Sequence, residues 1–129
     1  MAVLLDTHVV LWYVTQNSSL SLKAREIVEA KSDLFFSMAS VWEIAIKLNI
    51  GKLKIYCSFD DLLARIAVTR SEILPINIED TQTYINLPLM PEHRDPFDRI
   101  LVAQAMNYGL DIVSGDEKFD AYPIQRVWA

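Results

Sequence analysis

Apolar and polar positions fall into alternating blocks along this chain, and the blocks predict strands and helices in turn. Residues 2–5 form an unbroken apolar run that stops at Asp6, the pattern of a strand buried on both faces. Residues 9–14 are apolar at nearly every position, which predicts a helix that is deeply packed or lies at an interface. A second helix is predicted over 20–30, with Ser21 as its cap and Glu26 and Glu29 outward. Residues 34–37 read as the next strand, and Ser40 is expected to cap a helix over 41–50 that Gly51 ends.

The second half continues the alternation. A helix over 59–69 is expected behind the Ser58 cap, a strand over 73–76, and a helix over 78–87. Pro88 and Pro91 then impose a loop. Asp95-Pro96 opens the clearest helix, with Asp95 at the cap, Pro96 at the first helical position and Gly109 as the stop. A fourth strand is predicted over 110–113, followed by a Ser114-Gly115-Asp116 turn, a short helical piece over 117–121 and an edge strand over 125–128. Strands alternating with helices predict one α/β domain over residues 1–129, with a mainly parallel central sheet.

Ligands in such folds bind beyond the carboxyl ends of the strands, so acids on that edge are the first candidates for chemistry. Asp6 closes the first strand, Asp116 follows the fourth, and Glu43 begins the helix after the second. Asp98 starts the helix that feeds the fourth strand, and the proline-rich loop before it can return the chain to the same edge. Each acid alone also has an ordinary explanation. Asp6 can cap a helix, Glu43 can pair with Lys47, Asp98 can complement a helix N-terminus, and Asp116 suits a turn. Their joint placement is what points to a site. Crowded carboxylates repel unless a cation compensates them, and hard oxygen donors without a cysteine–histidine cluster select Mg²⁺ or Mn²⁺. The reaction class this implies is metal-assisted phosphodiester hydrolysis.

Four segments carry a family resemblance: Leu4-Leu5-Asp6-Thr7-His8, Ser40-Val41-Trp42-Glu43-Ile44, Asp95-Pro96-Phe97-Asp98-Arg99 leading to Ala103-Gln104-Ala105, and Ser114-Gly115-Asp116 with Phe119 behind it. In order and spacing the chain resembles a PIN domain and, within it, the VapC-like toxin ribonucleases of toxin–antitoxin pairs. The resemblance implies a three-layer α/β/α fold and a Mg²⁺- or Mn²⁺-dependent endoribonuclease. It assigns Asp6, Glu43, Asp98 and Asp116 to the catalytic metal site, with Asp116 completing it directly or through water. Thr7, Ser40, Ser114 and Arg99 are then candidates to orient carboxylates or touch phosphate. Gly115 stands where related sequences often carry a polar residue. The implied partners are an RNA substrate, a small cognate antitoxin and a second copy of the chain, in the cytoplasm.

Other residues read more plainly. His8 is expected to be a packed or surface histidine, His93 a solvated loop residue, and Trp12 and Trp42 core residues. Lys47, Lys52, Lys54 and Arg94 could form a basic rim. Two rival readings are a PIN-like module that only binds protein and another acidic-site α/β enzyme. The full set of four acids argues against the first. The second would place an acid two residues after Asp6 in a phosphatase, where His8 stands, or paired acids in the first loop of a receiver domain.

Composition narrows the picture further. One cysteine, Cys57, excludes an intrachain disulfide, and 52% hydrophobic residues over 129 exclude a disordered chain. No apolar run approaches the ~20 residues of a membrane span, and the first residues lack a basic leader pattern. A net charge of −5 argues against a broad basic face for nucleic acid. Part of that excess is accounted for if the four acids are gathered around a cation.

Overall fold

The computed structural model describes residues 1–129. Five strands form one sheet in the order β3-β2-β1-β4-β5, and every neighbouring pair is parallel. The strands are β1 (Val3–Leu5), β2 (Leu34–Ser37), β3 (Glu72–Leu74), β4 (Asp111–Val113) and β5 (Arg126–Val127). Central β1 pairs Val3 with Leu34 on one side and with Asp111 on the other.

Side chains alternate along a strand, and the two faces of β1 consequently feed separate cores. Val3 and Leu5 pack with residues of α1 (Thr7–Val14), α2 (Leu22–Glu29), α3 (Met38–Asn49) and α4 (Phe59–Val68). Leu4 packs on the opposite face with Leu101, Val102 and Ala105 of α6 (Pro96–Tyr108), while Tyr84 of α5 (Ile78–Tyr84) joins the same cluster. The result is the expected three-layer α/β/α fold.

Several boundaries shift for local reasons. Ser37, at the end of β2, caps α3 by accepting from Ala39 N at 3.0 Å, so the helix starts before the expected Ser40 cap. Ser40 is thereby placed inside the helix, facing Thr7. β3 ends before Pro75, which has no N–H to give a ladder. Gly109 ends α6 with φ 63°, the left-handed conformation that glycine adopts without a Cβ penalty.

The topology also determines where a ligand can sit. From β1 the chain builds outward through β2 and β3, then crosses back to β4 and β5 on the other side. The loops after β1 and β4 therefore diverge and leave a crevice at this switch point. The proline-rich segment between α5 and α6 crosses back to the same edge, as the sequence suggested.

Candidate metal centre

Asp6 is 3% exposed and lies where β1 turns into α1. Its backbone N–H donates to Val113 O at 3.0 Å, which ties the turn to β4. One carboxylate oxygen, Oδ1, accepts from Thr7 N at 2.7 Å, so the capping role expected of Asp6 is real. The other, Oδ2, accepts from Ser114 Oγ at 2.8 Å and faces His8 Nδ1 at 3.0 Å. Ser114 Oγ in turn accepts from Asp116 N at 2.9 Å, so one hydroxyl couples the loops after β1 and β4.

His8 is more than a packed histidine. Its Nε2 accepts from Gly115 N at 3.2 Å, which leaves the ring proton on Nδ1, facing the Asp6 carboxylate. Trp12 and Trp128 hold the ring, with centroids 4.7 and 6.0 Å away. The Trp128 indole also fills the space above Gly115, where an added Cβ would lie 3.0 Å from the ring. The space a side chain at position 115 would need is thus occupied here by Trp128.

Glu43 is buried on α3, beside Thr7 and Ser40. Thr7 Oγ1 lies 2.8 Å from both Glu43 Oε1 and Ser40 Oγ. A hydroxyl has one proton and a carboxylate can only accept, so Thr7 donates to Glu43 and accepts from Ser40. Glu43 Oε2 pairs with Lys47 Nζ at 2.9 Å, the helical i,i+4 pair anticipated from spacing. The hydrogen bond to Glu43 raises the Lys47 pKa against the opposing effect of burial, and Asp95 and Asp98 add to it. Lys47 is therefore a built-in cation at the edge of the acidic cleft.

Asp98 sits in the first turn of α6, two residues inside the Pro96 start and three beyond the Asp95 cap. Burial pushes its carboxyl up to about 8, and the charges of Asp6, Asp95, Glu43 and Asp116 push the same way. One carboxylate oxygen from Asp98, one from Asp116 and one ring nitrogen of His93 lie within 4.8 Å of one another. Asp6 and Glu43 are outside this tightest group but close enough for their charges to act on Asp98.

His93 corrects the expectation of a solvated loop residue: it is 3% exposed. Phe119 and Tyr122, from the segment after β4, cover its ring, and burial lowers its pKa. Its tautomer follows from hydrogen-bond counting. The buried Tyr122 hydroxyl faces Arg99 NH1 at 3.0 Å and His93 Nδ1 at 2.9 Å. Arginine cannot accept, so Tyr122 donates to Nδ1 and the ring proton sits on Nε2, 3.1 Å from Asp98 Oδ2. His93 is thus an oriented donor to Asp98, a role invisible in a polar loop whose cover comes from 26 to 29 residues downstream.

Trp42 departs from the core expectation as well. It is 58% exposed and stacks edge-on against Phe97 at 5.4 Å, beside the two helices that carry Glu43 and Asp98.

The donor set suits a hard divalent cation. Four carboxylates and no thiolate line the crevice, and the Asp98 carboxyl is pushed up by burial and then by neighbouring charges whose repulsion a cation would offset.

A family model described as PIN domain matches residues 3–125. Comparison with curated proteins gives no match. Among solved structures, the chain is similar to one in VapBC2 from Rickettsia felis bound to a DNA fragment from their promoter, with 17% identity, a TM-score of 0.73 and 100% of each chain covered. A toxin–antitoxin complex from Klebsiella pneumoniae aligns at 17% identity and TM-score 0.67 over 98% of this chain and 96% of that one. FitAcB from Neisseria gonorrhoeae aligns at 18% and 0.69 over 96% and 95%. At such identities the likeness is one of fold.

Proposed function

Since the chain belongs to the PIN domain family, we propose that it is a Mg²⁺- or Mn²⁺-dependent endoribonuclease that acts as the toxin of a toxin–antitoxin pair. The observation that carries this reading is the Asp98–Asp116–His93 cluster, with Asp98 raised to about 8 by burial and by the charges of Asp6, Asp95, Glu43 and Asp116. Asp6, Glu43 and Asp98 would hold the ion, with Asp116 completing the site. A divalent ion held there would supply charge compensation for the carboxylates and Lewis-acid activation of water and phosphate.

The protein's own groups keep that site in shape. Ser114, Thr7 and the backbone N–H of Thr7 occupy defined lone pairs of Asp6 and Glu43, so the remaining ones point in fixed directions. His93 does the same for Asp98 through Nε2–H. Lys47 pairs with Glu43 at 2.9 Å and places a positive charge beside the incoming phosphate.

The toxin assignment draws support from the fold shared with a chain of the Klebsiella pneumoniae toxin–antitoxin complex. The remaining parts of the reading are a small antitoxin over the acidic cleft, a homodimer, a single domain over 1–129 and action on cytoplasmic RNA. No helix is long and apolar enough to cross a membrane. The test is incubation of antitoxin-free protein with structured RNAs and either metal. Cleavage that is lost in Asp6→Asn supports the reading; no cleavage with Mg²⁺ or Mn²⁺, or full cleavage by Asp6→Asn, refutes it.

A further inference from the structure

A pocket of about 420 Å³ opens beside the acidic cleft, lined by Tyr84, Met90, His93, Arg94 and Arg99 among others. His93 belongs to both sites: it lines this pocket, and its Nε2 contacts Asp98. Arg99 is the unusual member. It is 6% exposed, yet no carboxylate lies within ion-pair distance of it. Its two NH1 protons go to Pro88 O and Tyr122 OH, both at 3.0 Å, and both of those acceptors are neutral. Of the five guanidinium N–H groups, those on Nε and NH2 have no protein acceptor. The guanidinium lies over the Tyr84 ring at 5.4 Å, which fixes its plane.

The free N–H groups are not sealed from solvent, and an unused arginine fork at a pocket wall matches an oxyanion. Exposed Arg94 adds a second positive charge at the pocket mouth. We infer that this pocket binds a phosphate of the RNA strand next to the one held at the acids, with Arg99 as the buried anchor and Arg94 as the outer clamp. The inference rests on the nuclease reading for the identity of the strand. The pocket volume falls in the range that holds a small-molecule-sized group such as a nucleotide. A basic pocket sharing a wall with an acidic one also explains how a chain of net charge −5 takes a polyanion. The attraction is local rather than spread over a face.

The test measures binding apart from cleavage. Anisotropy of a fluorescein-labelled single-stranded oligoribonucleotide is followed in EDTA over a salt series, for the full chain, Arg94→Ala and Arg99→Lys. Arg94→Ala is expected to weaken binding several-fold and to reduce the slope of log K against log salt by about 0.7, the loss of one single-strand phosphate contact. Arg99→Lys, which keeps the charge and loses the fork, is expected to weaken binding with little change in slope. Circular dichroism checks that both variants fold. Unchanged affinity and slope in both variants overturn the pocket; if the wild type still cleaves RNA with Mn²⁺, the nuclease reading stands without it. Conversely, Arg94-dependent RNA binding with no cleavage supports the pocket and sinks the nuclease reading. Equal, Arg94-dependent binding of a polyglutamate peptide of matched charge would mean the pocket takes protein carboxylates, and the RNA assignment falls.

Discussion

Asp98 offers a sharp test of how the acidic centre trades stability for chemistry. Its carboxyl is raised from 3.8 to about 8, with burial as the main cause and four neighbouring acids adding to it. In the unfolded chain the same group ionises near its ordinary value, so between those limits the folded state must retain a proton the unfolded state has lost. The favourable contribution is therefore complete below pH ~4 and is lost progressively as the pH rises to about 8, above which it levels off. At pH 7 the interval above 3.8, at about 1.4 kcal/mol per pH unit, is worth about 4 kcal/mol. Because the side chain keeps 19% exposure, screening reduces this to roughly 2–3 kcal/mol. Asp98→Asn removes the ionisation while its amide oxygen can still accept from His93 Nε2. The metal-free variant should therefore be more stable than wild type by about 2–3 kcal/mol at pH 7, or on the order of 5–10 °C in Tm. Thermal unfolding in EDTA at pH 4, 5.5, 7 and 9 reads this directly. The gap should be near zero at the lowest pH, widen to pH 8 and then hold. Added Mn²⁺ should stabilise the wild type and not the variant, which closes or reverses the gap. A variant no more stable than wild type at pH 7, or a gap independent of pH, would refute the burial argument.

Other consequences can be checked with equal economy. Lys47→Met removes the cation from Glu43 and should tighten Mn²⁺ binding in calorimetry, because the ion no longer competes with an internal ammonium; unchanged affinity would show that the pair opens freely. Tyr122→Phe deletes the hydroxyl that sets the His93 tautomer, so ring nitrogen shifts in NMR should reveal a population with the proton on Nδ1, together with a loss of about 1 kcal/mol in stability. Gly115→Ala puts a methyl 3.0 Å from the Trp128 ring; a change in tryptophan fluorescence with a cost of about 1–2 kcal/mol is expected, and an unaltered spectrum would contradict the close approach. Ser114→Ala should lower Mn²⁺ affinity roughly 10-fold with little change in Tm, since the hydroxyl orients Asp6 and the Asp116 loop rather than filling the core.

By itself, the order of apolar runs, caps and breakers determined the alternation of strands and helices, because those signals are local. The Ser21, Ser58 and Asp95 caps and the Gly109 stop all stand where the sequence places them. The edge on which Asp6, Glu43 and Asp116 stand was legible because topology sends strand-to-helix junctions there, whereas Asp98 follows α5 and reaches it only through the proline-rich loop. What pairs with them was not legible. His93 looks solvated in its own loop, and only Phe119 and Tyr122, arriving from beyond β4, bury it and fix its proton. His8 looks like an ordinary helix residue until Gly115 and Trp128, more than 100 residues away, give Nε2 a donor and cover its ring, leaving Nδ1 to face Asp6. Trp42 looks like core, yet α3 turns it outward at the rim. Hydrophobic periodicity reports which face of an element is covered, but hydrogen bonds between distant segments depend on side-chain placement to within about 0.5 Å. Only the packed tertiary structure decides that.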